Sequence, residues 1–208
     1  EYIAYNFVGQ PERKLQEQLN SSATTVLFSE NYTYRYDHAG RNIETIHQIN
    51  SNSSVILSYN EYDELGRLKS SKMNNDNKLK TTYKYNVRSW VDRIENYFFV
   101  ENLEYAYNGN ISKMNWLQEN KNRTYTFRYD NLSRLLAADF SVGSSSDRYS
   151  KFDTSYSYDK HGNMKNIERY GYTGVSSFGG LIDNLTFTHN GNQLLTAMET
   201  ADYDPLSS

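Results

Sequence analysis

Four aspartates in this chain directly follow a tyrosine: Asp37, Asp63, Asp130 and Asp159. In three of these places an arginine stands four residues further on, at Arg41, Arg67 and Arg134. Recurring carboxylates suit calcium binding or acid–base catalysis, and recurring guanidinium groups suit anion clamping or stacking on a ring. Yet Asn takes the place after the aromatic at Asn6, Asn86, Asn108 and Asn190. An amide cannot serve as acid or base, whereas it accepts backbone N–H bonds in a turn as well as a carboxylate does. The residue types therefore favour a turn cap over a catalytic row.

The histidines His38, His47, His161 and His189 are scattered along the chain, and no HExxH, nucleophile elbow, phosphate loop or zinc spacing is present. The expectation is a chain without catalytic residues, metal or cofactor. Trp90, Trp116 and Phe98 stand apart as aromatics that an open sheet can present to a sugar ring or a protein partner.

These residues recur because the chain repeats itself. Copies align on the last aromatic of a strand, at Tyr5, Tyr36, Tyr62, Tyr85, Tyr107, Tyr129, Tyr158 and His189, spaced 22 to 31 residues apart. Aromatics precede many anchors at i−2, as in Tyr34 and Tyr36, Tyr83 and Tyr85, Phe127 and Tyr129, and Tyr156 and Tyr158. Positions i and i+2 share one face of a strand, so the pairs predict an aromatic stripe. The Asp-x-x-Gly segments Asp37 to Gly40, Asp63 to Gly66 and Asp159 to Gly162 suit a type I turn closed by a left-handed residue. Ser89 and Ser133 replace that glycine in two copies, where the left-handed conformation costs more. Asn108-Gly109 and Asn190-Gly191 predict shorter, two-residue hairpin turns. The sequence "PERKLQEQL" from Pro11 is open to a helical reading through Leu15 and Leu19, with a charged strand the favoured alternative.

The pattern predicts an all-β protein: a single array, over residues 1–208, of about eight antiparallel hairpins in one continuous, curved sheet. One hairpin buries too little surface to offset the ordering of its own backbone, so stability must come from neighbours.

Composition narrows the partners. The chain has 208 residues, 20 of them tyrosine, with 22 basic and 25 acidic residues interspersed to give a net charge of −3. No face is prepared for nucleic acid or an anionic membrane. The absence of cysteine excludes disulfides and thiol chemistry. No stretch is long and apolar enough for a membrane helix, and the first residues carry no signal-peptide pattern. The chain opens and closes inside its own repeat, which suggests a piece of a longer array whose free edges can pair with another copy.

The motif "YDELGRL" at Tyr62, nearly matched by "YDHAGRN" at Tyr36, resembles the YD repeat of the RHS (rearrangement hot spot) family, in a form similar to members from Bacteroidetes-type bacteria. The resemblance spans essentially the whole chain and rests on recurrence. It implies a hairpin array spiralling into a hollow shell that encloses or displays another domain of a secreted or cell-surface, toxin-like bacterial protein. The variable payload and the self-cleaving core of a complete member are not recognisable in these residues, and "YDPLSS" at Tyr203 is too short to count as one.

Overall fold

The computed structural model describes residues 1–118, 120–143, 152–172 and 180–201. Parts of the connections after Ser141 and Tyr172, and "YDPLSS", lie outside them. The described residues form sixteen β-strands and one single-turn 3-10 helix at Asn77–Leu79.

The chain divides into two compact bodies. The first, Glu1–Phe99, holds β1 (Tyr2–Tyr5), β2 (Pro11–Leu19), β3 (Val26–Tyr36), β4 (Asn42–Ile49), β5 (Val55–Tyr62), β6 (Leu68–Met73), β7 (Lys80–Tyr85) and β8 (Val91–Glu95). The second, Val100–Ser208, holds β9 (Val100–Tyr105), β10 (Ile111–Gln118), β11 (Lys121–Tyr129), β12 (Leu135–Val142), β13 (Thr154–Tyr158), β14 (Met164–Gly171), β15 (Gly180–Asn190) and β16 (Gln193–Glu199). In each body the strands lie in sequence order and every described pair is antiparallel. Pro11–Leu19 is a strand, paired with both neighbours, so Leu15 and Leu19 sit on a ladder and not on a helical stripe.

Paired residues point to one side of the sheet, and this fixes the chemistry of each face. In the first body one face carries Tyr32, Tyr34 and Tyr36, which pair in turn with His47, Thr45 and Asn42. The opposite face carries Arg35 paired with Glu44, and Glu61 paired with Ser70. Glu44 and Ser70 are the buried residues there, each held by a hydrogen bond: Arg35 Nη1 donates to Glu44 at 2.8 Å and Ser70 Oγ donates to Glu61 at 2.5 Å. Lys80 Nζ joins Glu61 at 3.1 Å.

The second body is organised differently. Its aromatic face gathers Trp116, Tyr125, Phe127, Phe140 and Phe152, with ring centroids 5.1 to 6.0 Å apart. Phe140, Ala137 and Ala138 are buried in β12. Asp153 caps this cluster by accepting the Phe140 N–H at 2.6 Å. Burial, chiefly, raises its carboxyl above the usual range, with neighbouring Asp139 adding to the effect.

Candidate functional site

The motif residues converge on the hairpin turns, all of which lie at one rim of each body because each joins an odd-numbered strand to the next. In the turn after Tyr36, the Asp37 N–H bonds to the Arg41 carbonyl and the Gly40 N–H to the Asp37 carbonyl, at 2.9 and 3.0 Å. Gly40 is left-handed, with φ +78°. Asp37 Oδ1 accepts the N–H groups of Ala39 and Arg41, and its Oδ2 accepts Arg41 Nε at 2.7 Å. Asp63 and Asp130 repeat this arrangement with Arg67 and Arg134, and Asp159 repeats it with Asn163.

These bonds favour the ionised carboxylate, so all four groups titrate below the usual aspartate range. The side-chain bond from Arg41 leads for Asp37, the backbone bond from Arg134 for Asp130, and the side-chain bond from Asn163 for Asp159. For Asp63 burial is the largest single influence and acts upward, but the Arg67 N–H and guanidinium together outweigh it. Asn6 and Asn86 cap their turns in the same way, accepting the N–H groups of Val8 and Gln10, and of Arg88 and Trp90.

Each turn also reaches toward the next one along the chain. In the first body Gln10 donates to the Gly40 carbonyl at 2.7 Å, the Arg41 guanidinium lies 4.5 Å over the Tyr62 ring, and Arg67 stacks 4.5 Å over Tyr85 while donating to Ser89 Oγ. In the second, Asn108 donates to Ser133 Oγ, Arg134 stacks 4.8 Å over Tyr158 and donates to the Asp159 carbonyl, and Asn163 donates to the Gly191 carbonyl. The arginines thus stack on the tyrosine of the following hairpin, not of the preceding one.

The anchor tyrosines return the link. Tyr36, Tyr62, Tyr85 and Tyr158 donate their hydroxyls to the carbonyls of Pro11, Asn42, Leu68 and Leu135, at 2.7 to 3.0 Å. Each acceptor lies just after the turn of the preceding hairpin. Burial raises the Tyr36, Tyr85 and Tyr158 phenols above their usual range, with nearby Tyr34, Asp63 and Tyr156 adding to it respectively.

Two turns differ from the sequence expectation. The anchor of the fifth hairpin is Tyr105, not Tyr107: the loop runs from Ala106 to Asn110 and closes through Ala106 N to Asn110 O and Gly109 N to Ala106 O. Asn108 and Gly109 therefore end a three-residue loop instead of forming a two-residue turn, and Tyr107 projects from the tip, 90% exposed. Asn108 Oδ1 accepts the Asn110 N–H, replacing the cap that Ala106 cannot supply. At the last hairpin the two-residue turn is present but its centre is Gly191-Asn192, closed by the pair Asn190 and Gln193. Gly191, at φ +60°, holds the first central position, as a type II′ turn requires. Ser89 and Ser133 do take the left-handed conformation, both at φ 62°.

The candidate ligand-facing aromatics are not brought together. Trp116 stacks on Tyr125 within the second body's cluster, Trp90 holds the fifth position of its turn with Arg88 5.0 Å from its ring, and Phe98 is 63% exposed, edge-on to Tyr97. Open grooves separate neighbouring turns of the first body, about 850 Å³ between the first and second and about 650 Å³ between the second and third. Among the described residues no group of three or more His, Asp or Glu is placed to hold a metal ion, and no helix is long and apolar enough to cross a membrane.

This hairpin array has a solved counterpart. The structure described as TcdB2-TccC3-Cdc42 superposes on 96% of this chain with a TM-score of 0.72 at 10% sequence identity. The fold is shared. The chain spans 11% of the length of that counterpart. A porin-like protein from Bacteroides uniformis aligns over 90% of this chain with a TM-score of only 0.29 and carries no argument. No family model and no curated protein matches the sequence.

Proposed function

We propose that this chain is a non-enzymatic structural scaffold, a stretch of an RHS/YD-type β-shell that encloses or displays another domain of a larger secreted or surface-exposed, toxin-related bacterial protein. The observation that carries this reading is where the motif's polar groups are directed. Asp37, Asp63, Asp130 and Asp159 face their own turns, and the residues at the fifth turn position bind the next hairpin, so the repeated chemistry is engaged in holding hairpins together. The shared fold with TcdB2-TccC3-Cdc42, whose chain is about nine times longer than the stretch matched here, supports a role as part of a larger sheet.

A second reading, a carbohydrate- or protein-binding module, is favoured by one observation: Tyr97 and Phe98 expose adjacent rings, with Lys78 Nζ 5.6 Å from the Tyr97 ring. The two readings part in a glycan-array screen of the wild-type chain and the variants Trp90→Ala and Phe98→Ala. The scaffold reading expects no retention by any of them. Retention that disappears in a variant whose melting temperature is unchanged establishes the binding module instead.

A further inference from the structure

The tips of the turns carry a feature that neither capping nor inter-turn linkage uses. In the first body the two tip residues of successive turns are Phe7-Val8, His38-Ala39, Glu64-Leu65 and Val87-Arg88. Phe7 and Val87 are fully exposed, and Val8 and Leu65 expose 72% and 73% of their surface. The first three connections at the opposite rim present Ser21, Ser22, Asn52, Ser53 and Asn75 instead, which is the ordinary composition of a solvated loop. One rim of this body is therefore a row of apolar knobs. They are spaced by two strands, about 10 Å, and separated by the grooves described above.

We infer that this rim is a docking surface for a second copy of the same chain, in a two-fold, rim-to-rim arrangement. The row is complementary to its own reverse. With the two rims antiparallel and offset by half a turn spacing, Leu65 of each copy enters the groove between the first and second turns of the other, walled by Val8 and Ala39. His38 and Ala39 enter the groove between the second and third turns, where Glu64 stands opposite the His38 imidazole. Phe7 and Val8 then lie between Leu65 and Val87. A two-fold contact of this kind is self-limiting and gives a dimer, not a fibre.

The four apolar tips offer on the order of 500 Å² per copy, the size of a functional patch on a monomer. That is less than the about 800 Å² per partner of a standard stable interface, so the dimer is weak and its population follows concentration.

Sedimentation equilibrium of the full chain, from micromolar to millimolar, tests this. The expected result is a mass rising toward twice that of the chain for the wild type and for Ser53→Glu on the opposite rim, and staying at one chain for Leu65→Glu. Circular dichroism melting is expected to be the same for all three, since Leu65 and Ser53 are exposed loop positions. A wild-type mass of one chain throughout overturns the inference. So does a dimer that Leu65→Glu leaves intact, which places the contact elsewhere.

Discussion

The turn at Asp63 and the turn at Ala106 have the same backbone and different chemistry. Both close through a bond from the first residue's N–H to the fifth residue's carbonyl and from the fourth N–H to the first carbonyl, with glycine left-handed at the fourth position. At Asp63 the carboxylate binds two turn N–H groups and the Arg67 guanidinium, which goes on to stack over Tyr85. At Ala106 nothing can play that part. Asn108 takes over the fifth residue's N–H and provides the link to the next turn through Ser133. The pairing of the strands and the left-handed fourth residue therefore set the turn, while the Asp and Arg of the motif add cohesion between hairpins that other residues can supply.

The comparison breaks most visibly at the tyrosines. Tyr85→Ala and Tyr105→Ala both remove a half-buried ring at an anchor position and are each expected to cost about 2 to 4 kcal/mol in denaturant unfolding. Tyr107→Ala, at an exposed tip, stays within about 0.5 kcal/mol of wild type. Equal losses at Tyr105 and Tyr107 would mean that the fifth hairpin closes where the sequence motif alone suggested.

A smaller effect follows from exchanging the caps. Asp63→Ala is expected to lower the melting temperature by a few degrees, while Ala106→Asp raises it or leaves it unchanged, because the new carboxylate meets N–H groups already positioned for it. A loss in Ala106→Asp would show that the two turns are not equivalent.

The capped carboxylates also give an acid dependence of known sign. Their pKa values are lower in the folded chain than in the unfolded one. The stability they contribute is therefore complete above the unfolded value of about 4 and is lost as the pH falls through the folded values. Melting temperature measured from about pH 6 down to about pH 2 should fall steeply for wild type and less steeply for the combined variant Asp37→Asn, Asp63→Asn, Asp130→Asn. The smallest effect is expected at the serines that stand in for glycine. Ser89→Gly relieves a left-handed non-glycine residue, worth about 1 kcal/mol, but removes the hydroxyl that accepts Arg67, so the net gain is a few tenths.

The all-β class, the hairpin order and the left-handed glycines were legible because they follow from strand alternation and local backbone sterics. So was the capping role of the aspartates, since Asn replaces Asp at Asn6 and Asn86. The closing position of two turns was not. "YAYNGN" offers two aromatics two residues apart and an Asn-Gly pair, and the main ladder, in which Glu104 pairs with Lys113, is compatible with either loop. A bulge between Ile111 and Lys113, which no short-range signal marks, selects the longer one. The direction in which Arg41, Arg67 and Arg134 reach also escaped the sequence, because it depends on which hairpin lies alongside. The aromatic cluster around Phe140 is a product of cross-strand register over three strands and leaves no local trace.

The central claim is that the motif links each hairpin to the next. A double-mutant cycle of Arg67→Ala and Tyr85→Leu, read by equilibrium unfolding, tests it most directly. A coupling of about 0.5 to 1 kcal/mol between the two positions is the expected result for a stacked, partly shielded guanidinium and ring. Additive losses, with no coupling, would contradict it.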